Sequence, residues 1–236
     1  GYGTNGSYLS MSNLVNSSGV VATDVTGVGT GRGNLAAAGY GGDKAIFGYG
    51  TTGSYSSLTN LVNNSGVVAA DVTGVGTARR KLAAAGYGGD KAIFGYGDAG
   101  SDSSLTNLVS NSGVVATDTT GVGTVRDSLA AASYGGDKAI FGYGDTSSGV
   151  SLTNLVSNSG VVAADVTGVG TARSSLAAAG YGTDKAIFAY GYTSGVVSMS
   201  NLVSSSGVVA TDVTGVGTAR YGLAAATYGT DKAIFG

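Results

Sequence analysis

The phrase Asp-Lys-Ala-Ile-Phe occurs five times, beginning at Asp43, Asp90, Asp137, Asp184 and Asp231, each 47 residues after the last with no insertion or deletion. A fixed period of this size marks a solenoid, a propeller or an array, because each unit is one supersecondary element that cannot bury its apolar face alone. The chain therefore reads as a single domain, 1–236, built of repeats 1–47, 48–94, 95–141, 142–188 and 189–235. Five periods fill 235 positions, so Gly236 stands at the same phase of the repeat as Gly1.

Each repeat carries four short runs rich in Val, Ile, Leu, Phe and Tyr, and in the second they are SLTNLV (57–62), GVVAADV (66–72), KLAAAGY (81–87) and KAIFGYG (91–97). Runs of this length bounded by Gly, Ser and Asn are strand signals. The turns Asn63-Asn64-Ser65 and Gly88-Gly89-Asp90 are hairpin chemistry, since Gly and Asn accept positive φ. No helix-period stretch interrupts them. Four antiparallel strands every 47 residues describe a β-propeller blade. The Leu-Ala-Ala-Ala run suits an innermost strand, where blades crowd together. Ile46 and Phe47 are large enough to fill the space between neighbouring sheets, and the other two runs form the outer strands. The expected fold is all-β, a five-bladed propeller closed by two N-terminal plus two C-terminal strands, an arrangement that removes exposed sheet edges. The same complementary ends allow a rival: pairing between molecules into an open filament.

Composition excludes several classes. With 44 Gly, a flexible linker is the simplest alternative, but disordered segments lack the apolar periodicity found here. The absence of Cys removes disulfides, thiolate metal sites and cysteine nucleophiles. His, Glu, Pro and Trp are missing too. A net charge of -2 argues against nucleic-acid binding, and no apolar run approaches the roughly 20 residues of a membrane helix. The chain starts without Met or a signal-peptide pattern, as a processed protein or a piece of a longer one would.

The stretch TARYGLAAATYGTDKAIFG (218–236), preceded by residues 198–217, resembles a kelch repeat. It has an Arg just before a small-residue inner strand, then a hairpin, an apolar second strand ending in Gly, and two outer strands. It departs from that pattern in carrying Gly-Tyr-Gly for the Gly-Gly doublet and Val for the usual Trp of the fourth strand. The resemblance covers all five repeats and implies a β-propeller. The phrase KAIFGYG is also similar to repeats of phage-type structural proteins, which implies an extracellular or virion-surface setting.

Subtracting the repeat from itself isolates what varies. Asp24, Arg32, Asp43 and Lys44 with their copies account for 20 of the 26 charges. The other six, Arg80, Lys81, Asp98, Asp102, Asp127 and Asp145, fall at two places in the cycle: the segment 4–9 and its copies, and the two residues after the recurring Arg. The non-recurring tyrosines Tyr8, Tyr55, Tyr192 and Tyr221 occupy the same two places. In a four-stranded blade both places emerge on one face. Tyr, Arg and Asp on loops of a rigid scaffold suit partner binding, whereas drift at unconstrained loop positions is the plainer alternative.

Among the recurring residues, Asp24 and Arg32, eight apart, are expected to form an ion pair between blades. Asp43 and Lys44 sit at the inner hairpin, where turn chemistry explains the Asp; carboxylates there could hold a hard cation, but the adjacent Lys opposes it. No cofactor or metal is implied. The Gly-Val-Gly and Gly-Tyr-Gly-Gly runs lack the strand-to-helix context of a phosphate loop. No motif places a nucleophile beside a base, so the chain reads as non-enzymatic. The expected function is a repeat scaffold whose variable face binds a protein or glycan. A self-assembling fibre subunit, a five-site lectin acting through the recurring Tyr2 or Tyr40 copies, and an engineered symmetric scaffold remain alternatives.

Overall fold

The computed structural model describes all 236 residues and is all-β, with no helix. The strands are β1 (Gly3–Thr4), β2 (Tyr8–Leu9), β3 (Ala36–Tyr40), β4 (Lys44–Gly48), β5 (Thr59–Val62), β6 (Ala83–Tyr87), β7 (Lys91–Asp98) and β8 (Asp102–Val109). They continue as β9 (Ala130–Tyr134), β10 (Lys138–Gly142), β11 (Thr153–Val156), β12 (Ala177–Tyr181), β13 (Lys185–Ala189), β14 (Ser200–Val203), β15 (Ala225–Tyr228) and β16 (Lys232–Phe235).

Four antiparallel sheets repeat one plan, β3-β4-β5, β6-β7-β8, β9-β10-β11 and β12-β13-β14. The Gly-Val-Val-Ala run adds a fourth, outer segment held to each sheet by two isolated bridges, Val62 with Val68 and Thr59 with Val72 in the first unit. The unit thus keeps the strand order expected from side-chain size. The small-residue strands β3, β6, β9, β12 and β15 pack one upon the next.

The core lies between sheets. Ile46, Ile93 and Ile140 are fully buried. Phe94 of one sheet lies against Gly48 of the preceding one, where an added Cβ would come within 2.6 Å of the ring. Its ring centroid stands 5.1 Å from that of Tyr49 in an edge contact, a favourable aromatic geometry. Phe141 meets Gly95 and Tyr96 in the same way. Where Ala189 replaces the glycine, the corresponding pair Tyr190–Phe235 is the widest, at 5.7 Å.

Two ladders of backbone hydrogen bonds tie successive units. Gly41, Gly88, Gly135 and Gly182 donate to the carbonyls of Asp90, Asp137, Asp184 and Asp231 at 2.6–2.7 Å. On the other ladder, Lys81, Ser128, Ser175 and Gly222 donate to Asn34, Lys81, Ser128 and Ser175. The donors and acceptors of this second ladder all hold φ between 51° and 66°.

The expected ion pair of Asp24 with Arg32 is not made. Arg32 reaches instead to Asp71, 39 residues on, at 3.4 Å. Complete units extend the bond into a buried network. Arg126 donates from Nε to the Tyr143 carbonyl (2.9 Å), from Nη1 to the Thr124 carbonyl (3.0 Å) and from Nη2 to Asn154 Oδ1 (2.6 Å). Its guanidinium lies 4.2 Å from the ring centre of Tyr96. Asn154 donates onward to Asp165, which also accepts from the amide and hydroxyl of Thr124. The arginine is fully buried, so its donors must be satisfied inside the protein.

Closure of five blades would require β16 to pair with the segment Ser12–Val15. No hydrogen bond joins them. β16 pairs only with β15, and Ser12–Val15 only with the outer run at Val21 and Val25.

Candidate functional site: a ridge of variable residues

The two variable places in the cycle meet in space. Bridges pair Arg80 with Asp98, Asp127 with Asp145, and Ser174 with Tyr192, so the residue after the recurring Arg lies opposite the start of the next variable segment. The hairpin beyond each apolar strand makes this happen: the chain leaves the sheet through a Gly at positive φ, such as Gly97 or Gly144, turns, and returns. In the second unit the hairpin is continuous with the sheet, pairing Gly97 with Ser103 and Asp98 with Asp102.

At one end of the ridge Arg80 donates from Nε to Asp98 Oδ2 at 2.9 Å, and Tyr55 donates its hydroxyl to the same carboxylate at 3.3 Å. The Arg80 guanidinium stands 5.4 Å from the Tyr55 ring centre. Lys81 bonds Asp127 at 3.1 Å. Asp102 stands nearby without a cationic partner of its own. Burial, then repulsion from Asp127, Asp145 and Asp98, pushes its carboxyl above the usual carboxylate range. Asp98 lies below that range: burial opposes ionisation, but the Gly100 amide, Arg80 and Tyr55 outweigh it. At the far end Tyr192 and Tyr221 pack with ring centres 5.6 Å apart. Tyr8 lies against the Gly33 backbone at the near end.

The four tyrosines are 40–59% exposed, whereas Asp98 and Asp127 are largely enclosed by their own partners. The recurring charges cancel, ten Asp against ten Lys and Arg. Two cations and four carboxylates on this ridge therefore supply the whole net charge of -2.

Six of the ten recurring tyrosines behave differently. Tyr49, Tyr96 and Tyr143 are fully buried and donate to the carbonyls of Val75, Val122 and Val169. Burial pushes their hydroxyls up to about 12. Tyr40, Tyr87 and Tyr134 are also buried, against Gly113, Gly160 and Gly207 of the next unit. These six are occupied by packing, whereas the recurring Tyr228 is exposed.

Along the inner strands, a polar groove of about 260 Å³ passes Gly39, Gly86 and Ser133 with Lys44, Lys91 and Lys138 at its edge. Each lysine stands 3.0–3.8 Å from the Asp before it. Asn64, Asn111 and Asn158 donate to Asp43, Asp90 and Asp137. The recurring carboxylates thus already have partners, and nowhere do three metal-ligating side chains come together.

Of the recurring Asn13, Asn60, Asn107, Asn154 and Asn201, the last four are part of the arginine network without being expected from the sequence, and they are fully buried beneath the arginines. Their identity in every repeat, just before a Leu-Val pair, is the signal in the sequence.

No protein-family model matches the chain, and a search of curated proteins finds no similar sequence.

Proposed function

We propose that the chain is a non-enzymatic, kelch-like repeat scaffold whose variable ridge binds a protein or glycan partner on a cell or virion surface. One observation carries this reading: every non-recurring charge and every non-recurring tyrosine lies on the ridge, while elsewhere the repeats differ mainly by exchanges among Ser, Thr, Asn, Ala and Gly. A sequence free to drift would scatter such changes over all the turns. The exposed tyrosines supply large, rigid contact area, and the surplus of two carboxylates favours a partner that presents hydrogen-bond donors or cations. Reading each unit as a propeller blade is supported by its four-segment order and its small-residue inner strand.

The test is an array of immobilised glycans and surface proteins probed with the wild-type chain and with a variant carrying Ser at Tyr8, Tyr55, Arg80, Asp102, Asp145 and Tyr192. Binding that disappears in the variant, with circular dichroism unchanged, is the expected result. Retained binding, or none by the wild type, would overturn the reading.

A further inference from the structure

The polar groove along the inner strands carries an excess of positive charge on a chain whose net charge is -2. Its charged lining is Lys44, Lys91 and Lys138 against a single carboxylate, Asp137. The neighbouring groove shares Ser133 and Gly136 with it and adds Lys185. Lys81 precedes β6 and Gly88 follows it, so the groove lies at the end of the inner strands away from the ridge, and it crosses complete units. A hairpin places each lysine. Gly41, Gly88 and Gly135 hold φ of 61–62°, and an added Cβ there would lie 3.3, 3.4 and 3.5 Å from the ammonium nitrogens of Lys44, Lys91 and Lys138. The three ammoniums therefore take one pose, one per unit, in hairpins joined by the ladder bonds of Gly41 and Gly88. The Asp beside each lysine leaves its donors free. Asp43, Asp90 and Asp137 accept from Asn64, Asn111 and Asn158 at 3.0–3.1 Å. They stand 3.8, 3.7 and 3.4 Å from the ammoniums, beyond the roughly 3.2 Å of a hydrogen bond. Gly42, Gly89 and Gly136 line the same groove, and their amides donate to no group of the protein. Each unit thus offers an ammonium and a free turn amide together, a donor pair suited to an anion.

We infer that this groove binds a linear acidic polysaccharide, one carboxylate or sulfate of the ligand seated on the ammonium and amide of each successive unit. The floor at Gly39, Gly86 and Ser133 is made of small residues, so a sugar ring can approach the backbone closely. Tyr40 and Tyr87 also line the groove but are only 4% exposed, so no aromatic face is open for a base to stack on. The surplus carboxylates of the ridge oppose a densely charged polyanion, whereas a sugar chain spaces its charges and adds hydroxyls that the free amides can bond. Each lysine is 41–42% exposed, so a single contact is weak. Affinity comes from repeating that contact along one ligand, since the second and third contacts are intramolecular.

The experiment is calorimetric titration of the full chain with an oligogalacturonate, a sulfated heparin-type oligosaccharide, neutral dextran and a single-stranded oligonucleotide. Binding of at least one acidic oligosaccharide is expected, weakening as salt rises, with none of dextran. Which of the two binds identifies the anionic group as carboxylate or sulfate. Lys44→Gln, Lys91→Gln and Lys138→Gln together are expected to weaken binding roughly tenfold to a hundredfold. The three corresponding Arg replacements keep the charge and are expected to retain it. The ridge variant described above is expected to bind these probes as the wild type does, because it leaves the groove intact. Failure of both acidic oligosaccharides to bind would overturn the inference. So would tighter binding of the oligonucleotide, an affinity unchanged by the three Gln replacements, or loss of binding in the ridge variant.

Discussion

Replacing Arg126 by Met keeps a long side chain in the same slot and removes the charge and every donor. Two fully buried acceptors, the Tyr143 carbonyl and Asn154 Oδ1, then lose bonds of 2.9 and 2.6 Å. Leaving such a group unpaired costs about 1–3 kcal/mol each. The stack on Tyr96 at 4.2 Å adds about 1–2 kcal/mol. The ion pair with Asp165 adds little, because it is 3.9 Å long and the carboxylate side chain is 27% exposed. Partial relaxation of the acceptors brings the expected loss to about 3–5 kcal/mol, the range for breaking a buried charged pair. Arg220→Met provides the internal control, since that arginine keeps its aromatic contact but has neither Asn nor Asp. In dilute solution it should cost about 1 kcal/mol or less. The assay is urea unfolding followed by tyrosine fluorescence, with amide exchange in β9, β10 and β11 to catch local opening, because repeat arrays need not unfold all at once. Equal losses for the two variants would refute the argument that the Asn-Asp network, rather than the stacked arginine itself, holds each unit together.

Three further outcomes are expected. Gly95→Ala places a Cβ within 2.6 Å of the fully buried Phe141 ring and should cost about 1–3 kcal/mol in the same urea assay. Acid should destabilise the fold through Asp71, Asp118, Asp165 and Asp212. Burial opposes their ionisation, but bonds from Thr and Asn and the Arg charge outweigh it and hold them below the ordinary carboxylate value. Their contribution is therefore complete above that ordinary value, near pH 4, and is lost as the pH falls through the lower folded values; Asp165→Asn should flatten the acid limb of a melting profile. At the alkaline end, Tyr49, Tyr96 and Tyr143 should resist ionisation until about 12 in an ultraviolet titration. Stability from those buried hydroxyls is complete below about pH 10 and lost as the pH rises through the folded values.

The period, three strands of the unit and the small side chains of the innermost one were legible in the chain, because they depend on local apolar alternation and on volume; the fourth run is an outer segment held by two bridges rather than a full strand. The grouping of Arg80, Asp98 and Tyr55 on one ridge also followed from phase, since hairpin geometry places both variable loops at the same end of a sheet. What the chain left open is which copy of a residue meets which. Asp24 and Asp71 are identical in phase, so a pairing with Arg32 eight residues back or 39 residues forward reads the same in sequence. Packing chose Asp71, because Arg32 enters the sheet that lies ahead of it and its guanidinium reaches Asn60 and the outer segment there. Only the three-dimensional arrangement separates the copies of a repeat, because periodicity fixes what must touch while distance alone determines which copy is within reach.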